Sequence, residues 1–89
     1  MRPIKKIYFS SHFLRALKSL PIELKKTILE KEGTFRKDCF APSLKTHKLS
    51  GKYKDYWSFS IGFRYRILFR FLSNDEVLFI NVGDHSVYQ

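Results

Sequence analysis

Residue types able to handle phosphate and protons crowd into the C-terminal half of this 89-residue chain. In the run from Arg64 to Leu72, Arg64, Arg66 and Arg70 share the parity of Leu68. Alternate residues of a strand share a face, so three guanidinium groups would line one side and Tyr65, Ile67, Phe69 and Phe71 the other. A row of like charges repels itself and adds nothing to a core. It suits a surface that meets phosphates, because arginine grips phosphate oxygens through two parallel N–H groups. The alternative is an open sheet face with solvated arginines and acidic neighbours. A basic loop feeding the same strand pair weighs toward phosphate.

That loop holds Lys45, His47, Lys48, Lys52 and Lys54, with Tyr53, Tyr56 and Trp57 interleaved. Lysines there could touch an RNA backbone through salt-dependent electrostatics, or simply keep the loop wet. Aromatic rings beside cations can stack on unpaired bases. Trp57 begins an inward alternation and reads as core. His85 follows an apolar run and Gly83, in a tail with Tyr88. Histidine gives and takes protons near neutral pH, so His85 is the first candidate for proton transfer and His47 the second. His12 reads as structural. Cys39 is the single cysteine, which excludes a disulfide within the chain and suits a reducing cytosol. Three scattered histidines and one cysteine have no ligand spacing, so no metal is expected. Phosphate-binding loop, dinucleotide and nucleophilic-serine motifs are missing too, and no cofactor is expected.

The elements that position these groups follow from periodicity. Ile4 to Phe9 reads as a first strand, and Ser10 or Ser11 as a helix cap. Phe13, Leu14, Leu17 and Leu20 recur at helical spacing up to Pro21, which ends one helix and suits the first turn of the next. The second helix starts near Ile22 with an apolar stripe of Leu24, Ile28 and Leu29. It closes at Gly33 or continues through Phe35. Residues 37–54, with Pro42 and Gly51, read as a loop. Trp57, Phe59, Ile61 and Phe63 then alternate with Ser58, Ser60 and Gly62, and Gly62 marks a turn. After the Arg64–Leu72 strand, residues 73–76 supply turn chemistry. Val77 to Val82 is apolar enough for a central strand buried on both faces. The expected class is α+β: a two-helix hairpin on one face of a small, mostly antiparallel four-stranded sheet, its other face free.

Bulk properties bound the rest. One domain, residues 1–89, is the default at this length. A hydrophobic content of 44%, with nine Phe, five Tyr and one Trp, can fill a small core and argues against disorder. Seventeen Lys and Arg against eight Asp and Glu give a formal charge of +9, which favours a polyanionic partner. No stretch reaches the ~20 apolar residues of a membrane span, and the start lacks the apolar run of a signal peptide, so a cytoplasmic protein is expected.

Four segments together carry a family resemblance: His47-Lys48-Leu49-Ser50-Gly51-Lys52, Tyr56-Trp57-Ser58, Tyr65-Arg66-Ile67-Leu68-Phe69 and Val82-Gly83-Asp84-His85-Ser86-Val87-Tyr88. Their order over the C-terminal half, with the size and element order of the whole chain, resembles the RelE-type toxins of the RelE/ParE superfamily. The resemblance implies a ribosome-dependent endoribonuclease that cuts messenger RNA and is encoded with an antitoxin. It implies the small toxin fold and no metal. By position, Arg66, His85, Tyr88 and the group Lys45, His47, Lys48, Lys52 and Lys54 would act on the message, His47 as candidate base; the strand pattern adds Arg64 and Arg70 as groups that would hold RNA. Ala41-Pro42-Ser43-Leu44 stands where some relatives carry a loop glutamate, and Phe59 and Ser60 where another subgroup has a second histidine. The general base is thereby left open. Two other readings stay beside it: a ParE-like inhibitor of DNA gyrase, and an RNA-binding module without activity.

Overall fold

The computed structural model describes residues 2–84. In chain order the elements are β1 (Lys6–Phe9), α1 (Ser11–Lys18), α2 (Ile22–Lys37), β2 (His47–Lys48), β3 (Trp57–Ile61), β4 (Tyr65–Phe71) and β5 (Glu76–Gly83). Short 3-10 turns at Pro42–Leu44 and Gly51–Tyr53 flank β2. The class is α+β, as the periodicities require, but the sheet has five strands and not four. Its order is β1-β5-β4-β3-β2, with β1 parallel to β5 and the other pairs antiparallel. The extra strand, β2, consists of two exposed residues, so burial leaves no alternating signature in the sequence. Only its pairing, His47 to Ser58 and Lys48 to Trp57, makes it a strand.

Local chemistry sets the helix ends. The Phe13 N–H donates to Ser10 Oγ at 2.9 Å, so Ser10 caps α1. The Ser10 hydroxyl in turn donates to the Ile80 carbonyl at 2.8 Å, and the Ser10 N–H to Phe79 at 3.0 Å. One residue thus caps a helix and ties it to β5. Pro21 sits at the start of α2 with φ −61°. Gly33 does not end α2, which runs on to Lys37 because Phe35 is drawn wholly into the core. The apolar stripe of α2 is accordingly Leu24, Ile28 and Phe35. Leu29, expected on that stripe, is 70% exposed. Its position one residue after Ile28 turns it about 100° away from the sheet.

The core lies between this hairpin and one face of the sheet. Phe35 stacks on Phe59 (4.7 Å between centroids) and meets Phe69 and Phe79 edge-on at 5.0 and 5.4 Å. Phe13 from α1 closes the cluster on Phe79. Trp57 packs edge-on against Phe40 and Phe71 on this side, as expected of a core residue. The first strand is shorter than its sequence suggests: Ile4 is buried, but its N–H bonds to the Arg36 carbonyl and not to the sheet.

Two expectations about the strands are corrected. The alternation 57, 59, 61, 63 breaks after Ile61: Gly62 takes φ +64° and Phe63 is 97% exposed at the tip of the turn. Second, β5 is central but is not buried on both faces, since Leu78 and Ile80 are only half-buried. The register passes from Leu68–Asn81 to Phe69–Phe79, leaving Ile80 as the extra residue of a bulge. The bulge shifts parity, so Val77, Phe79 and Val82 all reach the core despite their uneven spacing.

Candidate nucleic-acid interface

Because the helices cover one face of the sheet, the polar candidates must use the other face or its edges. Residues directly opposite in antiparallel strands point the same way. One row across that face is His47 (β2), Ser58 (β3), Leu68 (β4) and Asn81 (β5); Ser58 and Leu68 are buried, so the face expected to be free is exposed only in part. The adjoining row is Ser60, Arg66 and Gly83. His47 and Arg66 therefore share a face, two strand spacings and one two-residue step apart. At ~4.8 Å per strand and ~3.3 Å per residue, their Cα atoms lie roughly 12 Å apart, a gap that two long side chains and a nucleotide can bridge.

Arg66 is half-buried and held by its own turn. Its Nη1 donates to the Tyr65 carbonyl at 3.1 Å and reaches the Phe63 carbonyl at 3.5 Å. Among the described residues Nη2 and Nε meet no acceptor, which leaves three N–H donors for another partner. A guanidinium anchored this way loses less freedom on meeting an oxyanion than a free one. His47 is exposed, and its Nδ1 lies 3.0 Å from the Lys45 carbonyl. That contact suits the tautomer with the proton on Nδ1, which leaves Nε2 as a proton acceptor.

The row of three arginines is partly overturned. Arg64 lies in the turn before β4, not in the strand, so only Arg66 and Arg70 share the face with Leu68. The reason is the Gly62 turn, which occupies residues 62–64 and starts β4 at Tyr65. Arg70 is exposed opposite Leu78, four residues and ~13 Å along the strand from Arg66. Lys45, Lys48, Lys52 and Lys54 are all exposed. Lys52 Nζ sits over the Tyr53 ring at 5.2 Å. His85 and Tyr88 lie outside the described residues. Gly83, two positions before His85, is the register partner of Arg66.

His12 is an exposed position of α1. Cys39 is fully buried, and burial pushes its thiol pKa up, away from the thiolate. A 290 Å³ groove between the helices and Phe9 is lined mainly by Phe13, Leu14, Leu17, Ile28 and Leu29, and offers no acid–base pair beyond Lys25 and Glu32. A second cleft, of 270 Å³, opens where β3 meets its turn, lined by Lys31, Ser43, Lys45, Ser60, Gly62 and Phe63. Lys31 and Phe63 were not legible as site residues: the first reads as the solvent face of a helix, the second as core. No helix among the described residues is long and apolar enough to cross a membrane.

No protein-family model and no curated protein sequence matches the chain. Solved structures do match it closely in shape. A YoeB/ParE toxin from Agrobacterium tumefaciens superposes with a TM-score of 0.76 at 19% identity, covering 91% of this chain and 99% of the other. A chain of the RelBE2 toxin–antitoxin complex from Mycobacterium tuberculosis gives 0.77 at 20% identity, covering 97% and 95%. YafQ from E. coli gives 0.68 at 16% identity over 99% and 98%. Likeness over nearly whole chains at such low identity lies in the path of the backbone, and the chain has the fold of the RelE/ParE toxin superfamily.

Proposed function

We propose that this protein is the toxin of a type II toxin–antitoxin pair and cleaves messenger RNA on the ribosome as an endoribonuclease. The observation that carries this reading is the placement of Arg66 and His47 on the same sheet face, the one turned away from the helices. Among the described residues Arg66 has donors to spare, in a chain of formal charge +9. The likeness to chains from toxin–antitoxin complexes supports it.

In this scheme the RNA supplies its own nucleophile. The 2′-oxygen attacks the adjacent phosphorus as His47 Nε2 takes its proton, and the bond from phosphorus to O5′ breaks. His85 gives a proton to the departing O5′, leaving a 2′,3′-cyclic phosphate and a 5′-hydroxyl. Gly83, the register partner of Arg66, precedes His85 by two residues, which supports pairing Arg66 and His85 in one scheme. Arg66, with Arg64 in support, stabilises the phosphorane's charge, so the scheme calls on no metal. Tyr88 positions or stacks a base. Lys45, Lys48, Lys52, Lys54 and Arg70 hold the flanking backbone. The cognate antitoxin would cover the basic face with an acidic, amphipathic segment that orders on binding.

The test is cleavage of a defined message on programmed ribosomes, mapped by primer extension. Wild type should cut only when ribosomes are present. Arg66→Ala and His85→Ala should each lose about a hundredfold or more, as expected for groups that serve the transition state. A 5′-phosphate product would overturn the mechanism. A folded protein that cuts nothing but blocks supercoiling by DNA gyrase would move the assignment to the ParE-like reading.

A further inference from the structure

The tip of the β3–β4 turn exposes an aromatic ring almost completely. Phe63 is 97% exposed, more than any other large apolar side chain among the described residues. Gly62 at φ +64° makes the turn that puts it there. The ring is not isolated. It lines the 270 Å³ cleft with Lys31 from α2, Lys45 from the end of a 3-10 turn, and Ser43 and Ser60. Two cations from elements well separated in sequence meet beside one ring. Lys45 adopts φ +52°, a left-handed conformation uncommon for a residue with a side chain, and its N–H bonds to the Pro42 carbonyl to close the turn. β2 pairs only with Trp57 and Ser58, and the Pro42–Leu44 turn packs against β3 beyond it, beside the cleft. The cleft also adjoins Arg66, which reaches the Phe63 carbonyl and lies opposite Ser60.

We infer that this cleft is a nucleotide subsite for single-stranded RNA, in which one unpaired base stacks on Phe63 while Lys31 and Lys45 hold its phosphate. The inference deepens the proposed function and rests on RNA being the substrate. An exposed ring with flanking cations is the arrangement by which single strands are held without base pairing. The occupant is a nucleotide next to the one whose phosphate Arg66 holds, so the subsite bears on where the message is cut.

The experiment measures binding of the toxin to ribosomes programmed with a message methylated on the 2′-oxygen at the mapped cleavage site, which cannot be cut there. Cleavage of the unmodified message by wild type is run alongside. Phe63→Ala should raise the half-saturating concentration about tenfold, within the range attributable to base–aromatic stacking. Phe63→Tyr should stay within about threefold, because the ring is kept. Lys31→Ser combined with Lys45→Ser should weaken binding and flatten its salt dependence by roughly one phosphate's worth or more. An abasic substitution at one message position should abolish the difference between wild type and Phe63→Ala. Thermal melting checks that the variants are folded, as an exposed position allows. If wild type cuts and Phe63→Ala binds as well as wild type, the subsite is overturned and the nuclease reading stands. A Phe63→Ala loss that no abasic position removes also overturns it. If folded wild type neither cuts nor binds, both fall.

Discussion

Replacing Phe35 with alanine is expected to remove about half of the protein's folding free energy. Phe35 is wholly buried and is, with Ile28, one of two residues by which the 16-residue helix α2 is sunk in the core. Its ring contacts three other phenylalanines from three different strands, one stacked and two edge-on. Truncating a buried Phe costs ~3–5 kcal/mol when the surroundings relax only in part. A chain of this size holds ~4–13 kcal/mol in total. Collapse of the cavity is restricted here, because the three facing rings belong to hydrogen-bonded strands of one sheet. The urea midpoint should therefore fall by more than about 1 M with an unchanged slope, and the melting temperature by more than about 12 °C. Leu29→Ala is the matched control. That residue is 70% exposed on the same helix and should change stability by less than ~0.5 kcal/mol. A loss below ~1.5 kcal/mol for Phe35→Ala would refute the claim that this ring fastens the hairpin to the sheet.

Three further outcomes follow from local chemistry. Ser10→Ala should destabilise by ~1–2 kcal/mol in thermal or urea unfolding, since it removes both the α1 cap and the donor to the Ile80 carbonyl. The Asp38 carboxyl is held below its ordinary pKa, first by the Arg2 N–H and then by the Phe40 N–H, each bonding it at 3.0 Å. Its contribution is full above the ordinary carboxylate value and is lost as pH falls through the lowered one. Asp38→Asn should therefore flatten the acid side of the urea midpoint measured from about pH 5 down to about pH 2, and an unchanged profile would refute this. Cys39, buried and with its thiol pKa raised by burial, should resist iodoacetamide at pH 8 and react promptly once urea unfolds the chain. Rapid alkylation of the native protein would show that the site opens on its own.

The parts of this molecule that were legible in the sequence are those where burial imposes a period. Phe59 with Ile61, and Ile67 with Phe69, announce strands with one core face. Phe13 and Leu17 announce α1. Arg66 could be put on the open face by parity alone, opposite Ile67. The misreadings share one cause: a neighbour or a turn decided the matter, not the residue's own type. Phe63 continues the alternation in print, yet a left-handed Gly62 ends the strand before it, and the same turn removes Arg64 from β4. Leu29 is apolar and next to Ile28, but the helix rotates it outward. β2 has no pattern to read, because two exposed residues become a strand only when β3 offers its edge. Lys31 looks like any solvated helix lysine until the fold brings it beside Lys45.

The parallel pairing of β1 with β5 has a consequence for how the chain comes into being. Lys6 finds its partner in Glu76, some seventy residues later, and β5 then fills the gap between β1 and β4. Contacts so distant in sequence form late, after a large loop has been closed. A chain growing from its N-terminus can shape the β3–β4 hairpin early, but β1 stays without a neighbour until residues 76–79 have emerged. Gly83, the partner of Arg66, is made later still. The open face is thus assembled in the last moments of synthesis. A nascent chain of this protein therefore has no complete sheet until nearly all of the described fold exists.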